Sequence, residues 1–231
     1  ENQNNLPLMD VRVRKALNYS FDRELMIRYL RNNIGTPAQS GFIPKGLPGF
    51  SGQQGYNFKP NLALNLLEQA GYPNAKGIPE IFLSTTSSYL DLCEYIQHSW
   101  SEIGFKVRID VNPPSTHRQK VSKCELSLFR GSWIADYADA ENYLSLFYSK
   151  NYSPTGPNYT HFSHIEFDSL YDISISLSNL ESRLPYYEKM DSILIDQAVI
   201  IPLYYDNVLR FSHKNISGLG TNPMNLLDLK R

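Results

Sequence analysis

Hydrophobic positions recur at helical spacing near the amino terminus and then lose their period over a long interval. Val13, Ala16 and Leu17 lie at helical spacing, and a second helix is predicted to follow with Asp22 as its N-cap. Residues 33 to 59 show no such period and hold prolines and regularly placed glycines, so they are predicted to form a long ordered loop. This loop lacks the Lys-Ser/Thr ending of a phosphate-binding loop.

A regular succession of helices and strands is predicted for the middle of the chain. KPNLALNLLEQAGY predicts a helix in which Leu62, Leu66 and Ala70 share one face. PEIFLSTT predicts a buried strand, FKVRIDV a half-exposed strand and ELSLFRGSW a third strand, which follows a probable short helix after Pro113. Between the first two strands, one apolar stripe predicts a helix that ends at Gly104 and is formed by Tyr89, Cys93, Ile96, Trp100 and Ile103.

This alternation of strands and helices predicts an α/β fold, with a mostly parallel sheet and flanking helices. Ligands usually bind at the carboxyl ends of the strands in such sheets. Residues 130 to 136 directly follow the third predicted strand. They are therefore well placed to bind a ligand on topology alone.

The carboxy-terminal part predicts more helices and one strand pair. ENYLSLFYS predicts a helix, and residues 165 to 180 and 183 to 198 predict two amphipathic helices, with Pro185 in the first turn of the second. VIIPLYYDNVLRFS predicts two strands joined by a bend at YDN. The tail beyond them holds turn residues and little apolar mass, and we expect it to need a partner surface.

The composition permits a packed core and argues against several classes of function. The chain has 231 residues, 42% of them hydrophobic and 19% charged, with a net charge of −1. This near-neutral balance argues against electrostatic binding of nucleic acid or anionic lipid. There is no apolar run of about 18 residues that could span a membrane. The chain opens on Glu1 with a polar segment, so we expect a cut fragment or a processed chain.

Cysteine and histidine offer few candidates for metal chemistry. Cys93 and Cys124 are the only cysteines, and they could form a disulfide in an exported chain or lie apart as small core residues. His161 and His164 lie in a predicted loop, and no nearby cysteine or third ligand is expected. A metal site needs three or four converging donors, so a solvated loop is predicted there.

The segment FRGSWIADYADAENY places a cation, an indole and two carboxylates close together in sequence. Asp136 and Arg130 could pair with each other, or they could bind the ammonium and carboxylate of a zwitterion. Trp133 would offer such a ligand a flat wall. Asp139 is predicted to cap the following helix. Asp136 and Asp139 could instead be the carboxylate pair of a hydrolase.

Six segments that occur in the same order as in a known protein family carry a resemblance. The segments are DVRVRKALNYSFDRELM, GFIPKGLPGF, KPNLALNLLEQAGY, GSWIADYADAENYL, SHIEFDSLYD and AVIIPLYY. They resemble the extracytoplasmic solute-binding proteins of peptide ABC importers, the oligopeptide- and dipeptide-binding proteins of solute-binding family 5. The resemblance covers nearly the whole chain and corresponds to the carboxy-terminal portion of the family.

The resemblance implies four ligand-binding residues in the GSWIADYADAENYL segment and just before it. In that family the Asp after Trp-x-Ala binds the amino group of the peptide, and it corresponds to Asp136. Arg130 matches an arginine that meets the ligand carboxylate in some members, and Trp133 matches the tryptophan that lines the pocket. Tyr137 belongs to the same block and is included in the predicted site.

Two positions in this block depart from the family pattern. Ala140 replaces the usual proline, which loosens a turn but removes no ligand contact, and Ser132 replaces the usual glycine and adds a hydroxyl. Members of the family also bind nickel complexes, haem or sugars on the same scaffold. A non-peptide solute is therefore the alternative within the same transport role.

The resemblance also implies the architecture, the partners and the location. Residues 1–205 would form the second α/β lobe of a two-lobe, type II-like periplasmic binding protein, and residues 206–231 a tail that returns to a missing amino-terminal lobe. The expected partners are a short peptide, the membrane subunits of an ABC permease and that missing lobe, with no nucleic acid. No catalysis and no cofactor are expected. The expected location is the periplasm or the outer face of the cytoplasmic membrane, with a lipid anchor left open.

Overall fold

Short strands alternate with helices in the residues that the computed structural model describes, which are 6–209, 211–216 and 218. The helices are α1 (Leu6–Met9), α2 (Val11–Tyr19), α3 (Arg23–Leu30), α4 (Pro60–Gln69), α5 (Leu90–Glu102), α6 (Pro114–Ser122), α7 (Glu141–Leu144), α8 (Ile165–Ser176) and α9 (Leu180–Asp196). The strands are β1 (Thr36–Pro37), β2 (Ile81–Thr85), β3 (Val107–Val111), β4 (Leu128–Phe129) and β5 (Tyr204–Tyr205).

The central sheet is parallel and has the strand order β3-β2-β4. Ile81 and Leu83 point to one face of β2, where they join a hydrophobic cluster with residues of α5. Ser84 points to the opposite face, where its Oγ lies 3.2 Å from His117 Nδ1 of α6. Helices thus cover both faces, and the predicted α/β fold with a mostly parallel sheet and flanking helices is confirmed.

The apolar stripe predicted for α5 is confirmed and forms the centre of the larger core. Cys93, Ile96 and Trp100 are at most 4% exposed and pack against α2, α3 and α4. The indole of Trp100 also donates a hydrogen bond of 2.9 Å to the carbonyl of Leu17, which satisfies its only polar atom. This stripe fixes the helix next to the strand that leads to the predicted site.

The α4 helix forms as predicted but presents a different face to the core. Ala63 and Leu67 are completely buried, whereas Leu62 is 37% exposed. Leu66 and Ala70 are only partly buried at the edge of the cluster. The stripe read from leucine spacing is displaced by one residue because the small Ala63 lets α4 approach α2 closely.

A second hydrophobic cluster joins α7, α8 and α9 to the loop between β1 and α4. The whole predicted loop, residues 33 to 59, is aperiodic as expected, and apart from β1 it has no regular secondary structure. Asp191 of α9 is completely buried against it and accepts a hydrogen bond of 2.7 Å from the backbone N–H of Phe42. Gly41 has φ +112°, and a Cβ at that position would collide with the Asp191 carboxylate.

Arg23 joins segments that are far apart in the sequence. Its guanidinium is 1% exposed and donates hydrogen bonds to the carbonyl oxygens of Asn18, Tyr56 and Pro202 and to the side-chain oxygen of Asn18. Burial lowers the pKa of Arg23 to about 9, so the group stays charged at neutral pH. The beginning of the described chain is thereby tied to the residues that lead into β5.

Three sequence predictions are wrong in detail. The last helix begins at Leu180 because Asn179 caps it, accepting from the N–H of Glu181, so Pro185 lies in the second turn. The third strand is only Leu128–Phe129. It ends there because the backbone carbonyl of Arg130 is hydrogen-bonded to the side chain of His117 and not to a neighbouring strand. The third correction concerns the predicted terminal strand pair.

VIIPLYYDNVLRFS does not form a hairpin in its described residues. Its only strand is β5, which pairs antiparallel with β1 from the loop near the amino terminus. Residues 206–209 and 211–212 have no regular secondary structure. Most of the predicted tail, 206–231, lies outside the described residues, so the domain boundary at residue 205 stays a prediction.

Candidate functional site

Arg130 directly follows β4 at the carboxyl edge of the parallel sheet. Its N–H donates to the carbonyl of Ser84 at 2.8 Å, so the backbone is still held by β2. The guanidinium lies over the ring of Tyr89, with Cζ 3.1 Å from the ring centroid. Its Nη1 is 3.4 Å from Ser132 Oγ, whereas its buried Nε has no hydrogen-bond partner among the described residues. A flat aromatic support thus fixes the cation, and its terminal Nη2 has no hydrogen bond to a described residue.

A buried polar network holds the backbone of Arg130 from the α6 side. His117 Nε2 lies 3.0 Å from the Arg130 carbonyl, and its Nδ1 lies 3.2 Å from Ser84 Oγ. Since a carbonyl only accepts, Nε2 carries a proton, and Nδ1 is hydrogen-bonded to the Ser84 hydroxyl. Asn112 donates to Ser84 Oγ at 3.1 Å, and Lys120 donates to Asn112 at 2.9 Å. Each donor therefore finds an acceptor in a chain that ends at Arg130.

Asn142 organises the segment that carries Trp133 and Asp136. Its side-chain oxygen accepts from the indole of Trp133 at 2.7 Å and from the backbone N–H of Asp136 at 3.3 Å. Asn142 itself is 5% exposed at the start of α7. One buried amide thus sets the orientation of the indole and of the turn next to it.

The Asp136 carboxylate is exposed, and no described residue forms a hydrogen bond or an ion pair with it. Ile134 and Tyr137, on either side of it, are 83% and 47% exposed. The alternative in which Arg130 and Asp136 form a structural ion pair is wrong, since Arg130 is held by Tyr89 instead.

The other acidic groups of the segment are occupied. Asp139 accepts from the N–H of Glu141 at 2.9 Å and from Arg183 Nη1 at 3.0 Å, one bond to each oxygen. The N-cap position of α7 belongs to Ala140, so the predicted N-cap at Asp139 is wrong by one residue, although its side chain does accept from the first N–H of the helix. Glu141 accepts from the hydroxyls of Tyr137 and Tyr171. Partial burial and this bond to Glu141 raise the pKa of Tyr137.

The structure brings together a thiol and an imidazole that the sequence does not connect. Cys124 is exposed, and its Sγ lies 3.0 Å from His161 Nε2 and 2.9 Å from Ser153 Oγ. The expectation of no cysteine near His161 is therefore wrong, and so is a core position for Cys124. Cys93 is buried as expected, and both thiols are free.

Sequence reasoning missed the residues that support the predicted site. Tyr89 was assigned to a core stripe, and His117 and Asn142 were not singled out. Their contacts cross between elements, so spacing within one element gives no signal for them. The only available signal was the density of polar residues after each strand.

Among the described residues, no group of three or more His, Cys, Asp and Glu side chains could hold a metal ion. A cleft of about 260 Å³ lies between α2 and the end of α9, lined in part by Lys15, Tyr56 and Asp196, and it shares no residue with the predicted site. No helix of the described part is long and apolar enough to cross a membrane.

Known proteins match the chain in sequence along most of its length. Heme-binding protein A of Haemophilus influenzae is 30% identical over 87% of this chain and 38% of its own length. The oligopeptide-binding protein OppA of Bacillus subtilis is 27% identical over 92% of this chain and 40% of its own length. The chain therefore spans about two fifths of each of these relatives.

Solved structures of binding proteins share the fold. The periplasmic binding protein DppA of Helicobacter pylori, in complex with the peptide STSA, has a TM-score of 0.79 and 25% identity over 89% of this chain and 40% of its own. In sequence, residues 1–155 match the protein-family model "Bacterial extracellular solute-binding proteins, family 5 Middle". The resemblance seen in the six segments is confirmed, and the fold is that of one lobe of a two-lobe binding protein. The chain belongs to the bacterial extracellular solute-binding proteins of family 5.

Proposed function

We propose that this chain belongs to the extracytoplasmic solute-binding component of an ABC importer and helps to capture short peptides for the permease. Family membership supports the transport role, and relatives named for oligopeptides, dipeptides and glutathione support the class of solute. The relatives named here are binding proteins, which supports a role without catalysis. The peptide and the permease remain proposals, because the chain spans only part of each relative.

The observation that carries the proposal is the exposed, unpartnered carboxylate of Asp136. Asp139 and Glu141, which are close in sequence, are bonded to protein donors. Asp136 alone in this segment is held by its backbone while its carboxylate is free to accept from a ligand. A peptide ammonium group would supply a charge-assisted hydrogen bond worth about 1.5 to 3 kcal/mol.

Arg130 and Trp133 extend the proposed site from one charge to a peptide. The guanidinium is held flat on Tyr89, and no described residue is hydrogen-bonded to its terminal Nη2, which leaves that nitrogen to donate to a carboxylate. Trp133 is fixed through its N–H by Asn142, so the face of its ring can contact a side chain. We include Tyr137 as a wall of the site because it is half-exposed beside Asp136.

We infer that enclosure of the ligand requires a second lobe that this chain does not supply. The described site is an open surface, and the relatives are more than twice as long as the matched region. The proposed partners are thus that lobe, a short peptide and the membrane subunits of a permease. The chain belongs to a family of extracellular solute-binding proteins, which supports a location outside the cytoplasmic membrane.

A different solute on the same site is the second candidate, because the relative that is 30% identical is named for heme. A hydrolase using Asp136 and Asp139 is disfavoured, since both oxygens of Asp139 are already bonded. To act on a substrate, Asp139 would have to break its hydrogen bond with the N–H of Glu141 and its ion pair with Arg183.

The test is native mass spectrometry of the full-length protein, purified without refolding. We expect a ladder of adducts at short-peptide masses, which Asp136→Asn removes because the amide cannot pair with an ammonium ion. Glu94→Gln is the matched control, since it removes one exposed carboxylate from α5, on another part of the chain. A single adduct of heme or metal-chelate mass, unaffected by Asp136→Asn, would refute the peptide site and keep the family.

A further inference from the structure

Cys124, Ser153 and His161 form a compact cluster outside the proposed peptide site. Their polar side-chain atoms lie 2.9 Å (Sγ to Oγ), 3.0 Å (Sγ to Nε2) and 3.2 Å (Oγ to Nε2) from one another. Cys124 follows α6, whereas the other two lie in the segment between α7 and α8. Cys124 and His161 are exposed, and Ser153 is 4% exposed. A nucleophile, a base and a hydroxyl therefore meet where small molecules can reach them.

Two hydrogen-bond partners lie next to Sγ. The hydroxyl of Ser153 can donate to the sulfur, and so can Nε2–H of His161 once it has taken a proton. Nε2 also lies 3.0 Å from the carbonyl of Ser153, so one imidazolium N–H would face both a thiolate and a carbonyl oxygen. The ring is stacked on Tyr152 at 4.6 Å, which fixes its plane. A thiolate is the nucleophilic form of cysteine, and donors of this kind stabilise it.

The spacing of the three atoms is that of hydrogen bonds and not of metal ligands. A tetrahedral zinc ion with one sulfur and one nitrogen ligand would hold these two atoms about 3.5 Å apart. The observed Sγ to Nε2 distance is 3.0 Å. In the described part of the chain, the carbonyls that contact the cluster are those of Tyr159, at 3.8 Å from Sγ, and Ser153. Proton transfer between thiol and imidazole therefore fits the geometry better than metal binding.

We propose that Cys124 is a reactive thiol that undergoes exchange with low-molecular-weight disulfides, with His161 as its base. With the proton of the neutral imidazole on Nδ1, His161 Nε2 takes the thiol proton and then donates to the Ser153 carbonyl. The Cys124 thiolate attacks one sulfur of the disulfide. A bond forms between Cys124 Sγ and that sulfur while the original S–S bond breaks. The released thiolate takes the proton from His161, so one disulfide and one thiol are present before and after. Cys124 is oxidised, and the released thiol is the reduced product.

Cys93 provides an internal control within the same chain. It is 1% exposed in the core, and burial raises the pKa of its thiol. It has no histidine partner among the described residues. We therefore expect selective modification of Cys124 in the folded chain.

The experiment treats the reduced full chain with oxidised glutathione and follows the adduct by intact mass and peptide mapping. A dithiobis(nitrobenzoate), which releases a coloured thiolate, gives the rate. We expect one adduct, on Cys124, and a rate that falls at least about tenfold in His161→Gln because general base assistance is lost. Ser153→Ala should lower the rate by a smaller factor. His164→Gln is the matched control, since it changes a histidine three residues away and should keep the native rate.

Three results would overturn the proposal. One is that Cys124 reacts with the disulfide no faster in the folded chain than in the denatured chain. Another is a rate that His161→Gln and Ser153→Ala both leave unchanged, with native circular dichroism spectra for each variant. The last is a rate that rises after treatment with a chelator, because a metal ion would then have held the thiol.

Discussion

The buried carboxylate of Asp191 should make the chain more stable as the pH falls from neutral. One of its oxygens accepts from the N–H of Phe42, and the other has no partner among the described residues. Burial raises the pKa of Asp191 from 3.8 to about 6. The folded state therefore binds this proton more tightly than the unfolded state does. The cost of the buried charge is present above the folded-state pKa and disappears as the pH falls through it.

The size of the effect follows from the two pKa values. The difference between 3.8 and about 6 corresponds to about 3 kcal/mol in the free energy of unfolding. Between about pH 7.5 and about pH 4.5, about 2 kcal/mol of this should be gained. Asp10, Asp110 and Asp172 have lowered pKa values because of hydrogen bonds to their side chains. They oppose the trend only below their unfolded value of 3.8, outside this interval.

Urea unfolding at these two pH values, followed by circular dichroism, measures the effect. Asp191→Asn should abolish the gain of about 2 kcal/mol, because the amide does not titrate in this range. Asp196→Asn is the matched control, since it removes an exposed carboxylate from the same helix and should keep the gain. If Asp191→Asn shows the same pH dependence as the unmodified chain, the carboxylate is not the source and the reasoning fails.

Two further predictions concern the cationic side chains. Arg23→Met should lower the free energy of unfolding, measured in urea, by at least about 3 kcal/mol, since it leaves buried carbonyls such as that of Pro202 unpaired. Substitution of an exposed arginine on the same helix, Arg28→Met, should change this free energy little. Equal effects of the two substitutions would contradict this account. In the full-length protein, Tyr89→Ala should weaken binding of a short peptide from the adduct ladder about tenfold by calorimetry, because Arg130 loses its support. Tyr89→Phe should keep the affinity, and an equal loss with the carboxy-terminally amidated peptide would show that Arg130 does not bind the carboxylate.

The elements with strong internal periodicity could be predicted from the sequence. The α5 stripe and the strands β2 and β3 lie where the pattern predicts them, because burial of one face dictates both the period and the fold. VIIPLYYDNVLRFS failed because its apolar residues have a distant partner. β5 pairs with β1, across more than 160 residues of sequence, and a local pattern cannot distinguish that strand from a hairpin.

The candidate site was predictable in location but not in its internal contacts. The position after β4 follows from the topology of parallel sheets, and the resemblance supplied Asp136, Arg130 and Trp133. Opposite charges six residues apart suggested an ion pair, but the competing support from Tyr89 comes from another element. Whether the four predicted residues bind a ligand stays a prediction that the substitutions above would test.

The contacts of Arg23 have a consequence for the order in which the chain can fold. Three of its acceptors belong to residues near it in sequence or to the following loop, and the fourth is the carbonyl of Pro202. Until that residue has been synthesised and brought back, the guanidinium cannot be buried without an unmet donor. Closing so long a loop is slow compared with forming local helices. Complete packing around Arg23 therefore depends on a contact with the residue that lies just before β5.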